Sequence, residues 1–253
     1  MKNIILIDLD ETLLDFKADE KAALTKTLTT LGIEPSKDTL ELYSRINSAQ
    51  WKRLEKREIT REQVKENRYR LLFEALGKDT DPQKANEIYE KELAKQGRLL
   101  SGAREALERL YGKVRLFIAS NGTVDVQNGR INNTGIGKYF EKAFFSEKIG
   151  FEKPDKRFFD ACFAQIPNFK KENAVIIGDS LSSDILGGKN AGITTVWLNK
   201  SGVTFSFSSD SRALAACSFF LASDSSFLCC SMDWLSLFSL FCRLDMLVAA
   251  AAG

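Results

Sequence analysis

A chain of 253 residues is long enough for one α/β core and a smaller inserted domain. Lys and Arg number 36 against 34 Asp and Glu, so the formal charge of +2 implies no polyanion partner, and nucleic-acid polymer is set aside. There is no histidine at all, which assigns acid, base and metal work at neutral pH to carboxylates, lysines or cysteines.

The first element is an apolar run, Asn3-Ile4-Ile5-Leu6-Ile7, that leads into Asp8-Leu9-Asp10-Glu11-Thr12-Leu13. It reads as a strand buried on both faces, with two carboxylates at its C-terminal end, where open α/β sheets hold ligands. An isolated Asp-x-Asp reads as solvated loop acids; the later motifs overturn that. The apolar run is too short for a signal peptide, which makes the cytoplasm the default expectation.

From Asp15 to about Gly97 no strand is evident, and stretches rich in Glu, Lys, Arg, Leu and Ala carry helical spacing. Leu24, Leu28 and Leu31 fall on one face, as do Val64, Arg68, Leu71 and Leu72 with Ala75 beyond; Gly32, Pro35 and Pro82 punctuate the helices. The run from Lys52 to Arg61 reads as a solvated helix face, and Trp51 and Tyr69 read either as core of this segment or as base-stacking groups, between which the sequence does not decide. Residues 15–98 therefore form an expected helical cap inserted after the first strand.

Helix and strand then alternate: a helix over 103–110, a strand over 114–119 and a helix over 125–133. A strand over 143–146, a helix over 155–165, a strand over 174–178, a helix over 182–191 and a strand over 194–198 follow. This is a doubly wound parallel-sheet α/β core, Rossmann-like, made of residues 1–14 and 99–200. Chemistry-bearing residues recur at or just after its strands. Ser120-Asn121-Gly122 ends one, Lys153 in Glu152-Lys153-Pro154-Asp155 precedes a helix, and Gly178-Asp179-Ser180-Leu181-Ser182-Ser183-Asp184 ends another. Singly these are caps, solvated lysines and turns.

In this order and spacing the set resembles the haloacid dehalogenase superfamily of phosphohydrolases, over nearly everything from Met1 to about Ser201. Asp8-Leu9-Asp10-Glu11-Thr12-Leu13 and Gly178 through Gly188 make it similar to the pyrimidine 5'-nucleotidase branch with a helical cap. The resemblance implies that Asp8 attacks phosphorus and forms an aspartyl-phosphate, since a carboxylate needs no activating base. Asp10 would protonate the leaving alkoxide and later deprotonate the hydrolytic water. Magnesium would be held by the Asp8 carboxylate, the Asp10 backbone carbonyl and the Asp179 carboxylate, with Asp184 orienting a metal-bound water or Lys153. Ser120, with backbone N–H groups near Asn121 and Gly122, would bind phosphoryl oxygens, and Lys153 would pair with both phosphoryl group and nucleophile. Dehalogenases of the superfamily lack an acid at the Asp10 position, because a halide leaves without a proton, so Asp10 argues for a phosphate ester.

The last fifty residues break the pattern. Lysine is absent after Lys200, and Cys217, Cys229, Cys230 and Cys242 crowd into a segment rich in Ser, Phe and Leu. Asp233, Arg243 and Asp245 argue against a membrane anchor, and unpaired cysteine spacing without histidine argues against zinc. No good counterpart of a further edge strand or final helix is evident after Leu198-Asn199-Lys200. Residues 201–253 are read as an atypical tail, disordered or produced by a reading-frame change or cloning artefact near Ser201, which sequencing the natural gene would check.

The leading expectation is a magnesium-dependent phosphatase acting on a small phosphorylated metabolite, with nucleoside 5'-monophosphates implied by the branch. The rivals are a sugar-phosphate or phosphoglycolate phosphatase and a non-catalytic, receiver-like phosphoryl acceptor, against which the cap counts. A monomer or weak homodimer is expected.

Overall fold

The computed structural model describes residues 2–198 and the backbone of the strand Phe227–Cys230. Six parallel strands form one sheet in the order β3-β2-β1-β4-β5-β6: β1 Ile4–Ile7, β2 Arg115–Ser120, β3 Lys142–Phe145, β4 Ala174–Gly178, β5 Thr194–Leu198 and β6 Phe227–Cys230. This doubly wound order reverses direction at β1, whose Ile-Ile-Leu-Ile is wholly buried between β2 and β4. The sequence reading found no further edge strand beyond Leu198; the run Phe227-Leu228-Cys229-Cys230 supplies one, because four consecutive apolar residues suffice for a strand beside β5. The other expectations for 201–253 lie outside the described residues.

Register decides what leaves the sheet together. Ile7 pairs with Ile118 and with Ile177, so Asp8, the end of β2 and the end of β4 emerge at one edge. Beneath that edge Phe117, Phe144, Phe158, Phe159 and Phe163 pack with Ile4, Leu6 and Ile176 into the core. Each buried aromatic or aliphatic side chain contributes about 1.5–3 kcal/mol, enough to hold a strand end rigid. Among the described residues, the α-helices that accompany this sheet are α5 Ala103–Leu110, α7 Ser146–Ile149, α8 Lys156–Phe163 and α9 Leu186–Ala191.

The chain divides into two compact units, one comprising Met1–Leu14, Leu99–Asn121 and Ile136 onward, the other Asp15–Arg98 and Gly122–Gly135. The second is all helical: α1 Phe16–Thr30, α2 Lys37–Glu55, α3 Arg61–Leu76, α4 Pro82–Ala94 and α6 Val124–Thr134. Local signals start these helices. Asp15 and Ser36 cap α1 and α2, Thr60 and Gln63 close a capping box on α3, and Asp81 caps α4 with Pro82 in its first turn. Gly77, at φ 62°, ends α3 in the left-handed conformation.

The structure alters three expectations here. On α3 the buried stripe runs through Arg61, Val64, Arg68, Tyr69, Leu72 and Phe73, while Ala75 is exposed and Leu71 only half-buried. Arg61 is buried over the Trp51 ring rather than solvated with the rest of its charge run. Helix α6, expected within the α/β core, belongs to the helical unit. Its Arg130, fully buried, donates from Nε and Nη2 to Asp19 Oδ2 at 3.2 and 2.9 Å, and from Nη1 to Gln127 Oε1 at 2.9 Å. Gly129 allows the approach of α4, since a Cβ there would lie 2.4 Å from the Ala94 carbonyl oxygen.

Candidate active site

Lys153 organises the strand ends. Its side chain is 1% exposed, and its ammonium donates to Asp8 Oδ1 at 2.7 Å, Asp184 Oδ1 at 2.6 Å and the Ala119 carbonyl at 2.6 Å. Three donors meet three acceptors, so the buried charge is fully hydrogen-bonded. Asn121 fixes the backbone that carries it: its Oδ1 accepts from Lys153 N at 2.9 Å and its Nδ2 donates to Lys153 O at 3.0 Å. Burial disfavours the Lys153 ammonium, but Asp184 and Asp8 outweigh it and raise its pKa.

Asp8, Asp179 and Asp184 bring carboxylate oxygens within 4.8 Å of one another. Asp184 gets there by an irregularity. The helix expected over 182–191 opens instead with a π-helical turn, Leu181–Ile185, that starts from Ser180, whose Oγ accepts from Ser183 N at 3.2 Å. Such turns recur at functional sites because they re-aim a side chain. Asp184 Oδ2 thereby turns back to accept from Ser180 N at 3.1 Å. The turn requires glycine beneath it: a Cβ on Gly178 would lie 2.2 Å from Asp184 Oδ2. Gly178→Ala is therefore expected to displace Asp184 from Lys153 and lower stability by about 1–3 kcal/mol, the scale of overpacking. Urea unfolding checks this, and an unchanged midpoint would contradict it.

Desolvation pushes the Asp8 carboxyl well above its ordinary range; Lys153 opposes this, while Asp184, Asp179 and Asp10 reinforce it. A cation among these acids would reverse that balance. The donor set of Asp8, Asp179 and Asp184 is carboxylate oxygens only, which suits a hard divalent ion.

Asp10 stands outside that trio. It lies on a tight turn in which Thr12, Leu13 and Leu14 all donate from their backbone to the Leu9 carbonyl, and Glu11 takes φ 57°. Ser120 is buried at the end of β2 and Asn121 follows it, whereas Gly122 opens the segment grouped with the helical unit. There its missing side chain admits Gln127, whose Nε2 would lie 2.2 Å from a Cβ.

Sequence reasoning missed the supports of Asp179. The Thr12 hydroxyl donates to Asp179 Oδ1 at 3.5 Å, and Trp197 Nε1 donates to the Asp179 carbonyl at 2.7 Å. Trp197 comes from the neighbouring strand, and nothing in the local sequence signals that contact.

Comparison with known proteins agrees with this arrangement. The chain is 40% identical over 196 residues, 77% of its length, to pyrimidine 5'-nucleotidase PynA of Streptococcus pneumoniae, covering 83% of that protein. It is 32% identical over 195 residues to pyrimidine 5'-nucleotidase YjjG of Escherichia coli, covering 77% of this chain and 85% of that one. The magnesium-bound orthorhombic crystal form of YfnB from Bacillus subtilis superposes with a TM-score of 0.77 at 33% identity, over 81% of this chain and 90% of that one. A family model described as haloacid dehalogenase-like hydrolase matches residues 5–198, and with the strand-end acids and Lys153 in one cluster, the chain belongs to that family.

Proposed function

We propose that this hydrolase is a magnesium-dependent phosphatase that cleaves a small phosphate monoester, a pyrimidine nucleoside 5'-monophosphate, through an aspartyl-phosphate. The observation that carries the reading is the Lys153 ammonium, hydrogen-bonded to both Asp8 and Asp184 within a three-carboxylate cluster. Such a site holds one fixed positive charge and the ligands for a divalent ion, which together neutralise a phosphoryl group. The names of two relatives, both pyrimidine 5'-nucleotidases, support the substrate class.

In this mechanism an Asp8 carboxylate oxygen attacks phosphorus in line with the ester oxygen. Asp10 gives its proton to the departing alkoxide. Asp10 then removes a proton from the water that attacks the aspartyl-phosphate, releasing inorganic phosphate and restoring Asp8. Lys153 favours the ionised form of Asp8 against burial and pairs with a phosphoryl oxygen, and Ser120 with the N–H groups beside it binds the others. Asp8, the Asp10 carbonyl and Asp179 would hold magnesium, which supplies charge neutralisation, while Asp184 keeps Lys153 in place.

The test is phosphate release from a panel of nucleoside and sugar monophosphates, with magnesium and with chelator. Magnesium-dependent release led by pyrimidine monophosphates is expected. Release led by sugar phosphates would keep the mechanism and overturn the substrate, and no release from folded protein would overturn both. No helix among the described residues is long and apolar enough to cross a membrane. We place the enzyme in the cytoplasm as a monomer or weak homodimer.

A further inference from the structure

The peptide between Asp179 and Ser180 is held from both ends. Its carbonyl, on Asp179, accepts from Trp197 Nε1 at 2.7 Å, and its N–H, on Ser180, donates to Asp184 Oδ2 at 3.1 Å. The chain leaves β4 at Gly178, so the sheet ladder no longer dictates how this peptide is turned. Turning it over would aim the carbonyl at a carboxylate and the N–H at an indole N–H, and both bonds would be lost together. The peptide is joined to the Asp179 Cα, which also carries the carboxylate that stands with those of Asp8 and Asp184, their oxygens within 4.8 Å of one another. Holding the peptide therefore restricts where that carboxylate points.

The two ends are held by different chemistry. Asp184 is part of the charged cluster: its Oδ1 accepts from Lys153 Nζ at 2.6 Å, and the same ammonium donates to Asp8 Oδ1 at 2.7 Å. That end of the peptide follows groups whose balance a cation would change. The Trp197 indole is a donor only and carries no charge to lose or gain. It stands on β5, 6% exposed, at the residue in register with Gly178, so pairing with the neighbouring strand sets its place independently of the acids. A buried indole N–H needs an acceptor, and this one takes the backbone of a candidate metal ligand.

We propose that Trp197 is a positioning residue for the divalent ion: by holding the Asp179 carbonyl it keeps the Asp179 carboxylate at the angle that binds the ion, and so sets the affinity. The inference rests on the reading of Asp8 and Asp179 as magnesium ligands. Groups that orient a ligand in this way change metal affinity by about 10–100-fold when they are removed.

The dissociation constant for magnesium tests this in the full chain, taken from calorimetric titration and from the rise of Tm with magnesium concentration, neither of which needs turnover. Trp197→Phe removes the donor and is expected to raise the constant by about 10-fold or more. Turnover lost at low magnesium should be regained at saturating magnesium. The benzothiophene analogue of tryptophan at position 197, in which sulfur stands where the N–H was, keeps the shape of the ring and should weaken binding as much; it decides the matter if Trp197→Phe fails to fold. Trp51→Phe, on α2 in the helical unit, is the control and is expected to leave the constant unchanged. If Trp197 serves packing alone, Trp197→Phe lowers Tm equally with magnesium and with chelator, and the analogue binds magnesium as tightly as wild type. Either result overturns the inference while the ligand assignment stands. A wild-type protein that binds no magnesium in either measurement would overturn the ligand assignment, and the inference with it.

Discussion

Asp8→Asn is expected to reduce magnesium-dependent phosphate release by roughly 10^4-fold or more, the order of loss seen when a nucleophile is removed. The amide has the shape of the carboxylate but cannot form an acyl phosphate, and it is a poor ligand for a hard cation. The fold does not depend on that charge. Lys153 keeps Asp184 Oδ1 and the Ala119 carbonyl as acceptors, and the amide oxygen at position 8 still accepts its third hydrogen bond. Burial already disfavours the ionised form of Asp8, so neutralising it removes a desolvation cost, and the thermal unfolding midpoint should stay level or rise. Asp10→Asn separates the roles, since losing a general acid and base costs about 10^2–10^4-fold and less for a leaving group that departs without a proton. A folded Asp8→Asn protein that keeps more than about one per cent of wild-type turnover would sink the nucleophile assignment.

How much of this was legible follows from the kind of signal each feature leaves. The strands at Ala174–Gly178 and Thr194–Leu198 and the helix at Ala103–Leu110 have the ends the sequence predicts, because short apolar runs and amphipathic spacing bounded by Gly or polar residues mark both ends. The strand-end acids were legible too, since a buried strand that terminates in Asp has few reasons to do so other than chemistry. What pairing in three dimensions supplies was not. Arg61 and Arg130 look like surface charges in a window of sequence, and each is buried, Arg61 over the Trp51 ring and Arg130 against Gln127 and the distant Asp19. The π-helical turn at Leu181–Ile185 has the composition of an ordinary helix start, and only the contact of Gly178 with Asp184 shows why it departs. Asn121 was expected to contribute its backbone to phosphate binding, and its side chain proves to clamp Lys153, a contact across 32 positions that no local pattern encodes.

Lys153→Met is the second large effect, and it acts on stability as well as turnover. Methionine fills the same channel with an apolar stem but leaves Asp8 and Asp184 facing each other without their shared cation. Breaking a buried ion pair from one side costs about 3–5 kcal/mol, because the surviving charge remains desolvated. Turnover should fall by at least about 10^2–10^3-fold, the cost of losing one preorganised donor at a developing charge. The pH dependence fixes the cause. Lys153 holds the Asp8 carboxyl down against burial, so its removal drives that pKa further above the ordinary value near 3.8. A group whose folded pKa is raised stabilises the fold below its unfolded pKa and loses that contribution as pH rises through the folded one. The deficit of Lys153→Met relative to wild type should therefore be smallest near pH 4 and grow toward neutrality. Magnesium should recover part of it by restoring positive charge between the acids. Urea unfolding at several pH values, with magnesium and with chelator, measures both trends. A deficit that is constant across pH would mean that methionine fails by packing and that the ammonium is not what holds the two carboxylates together.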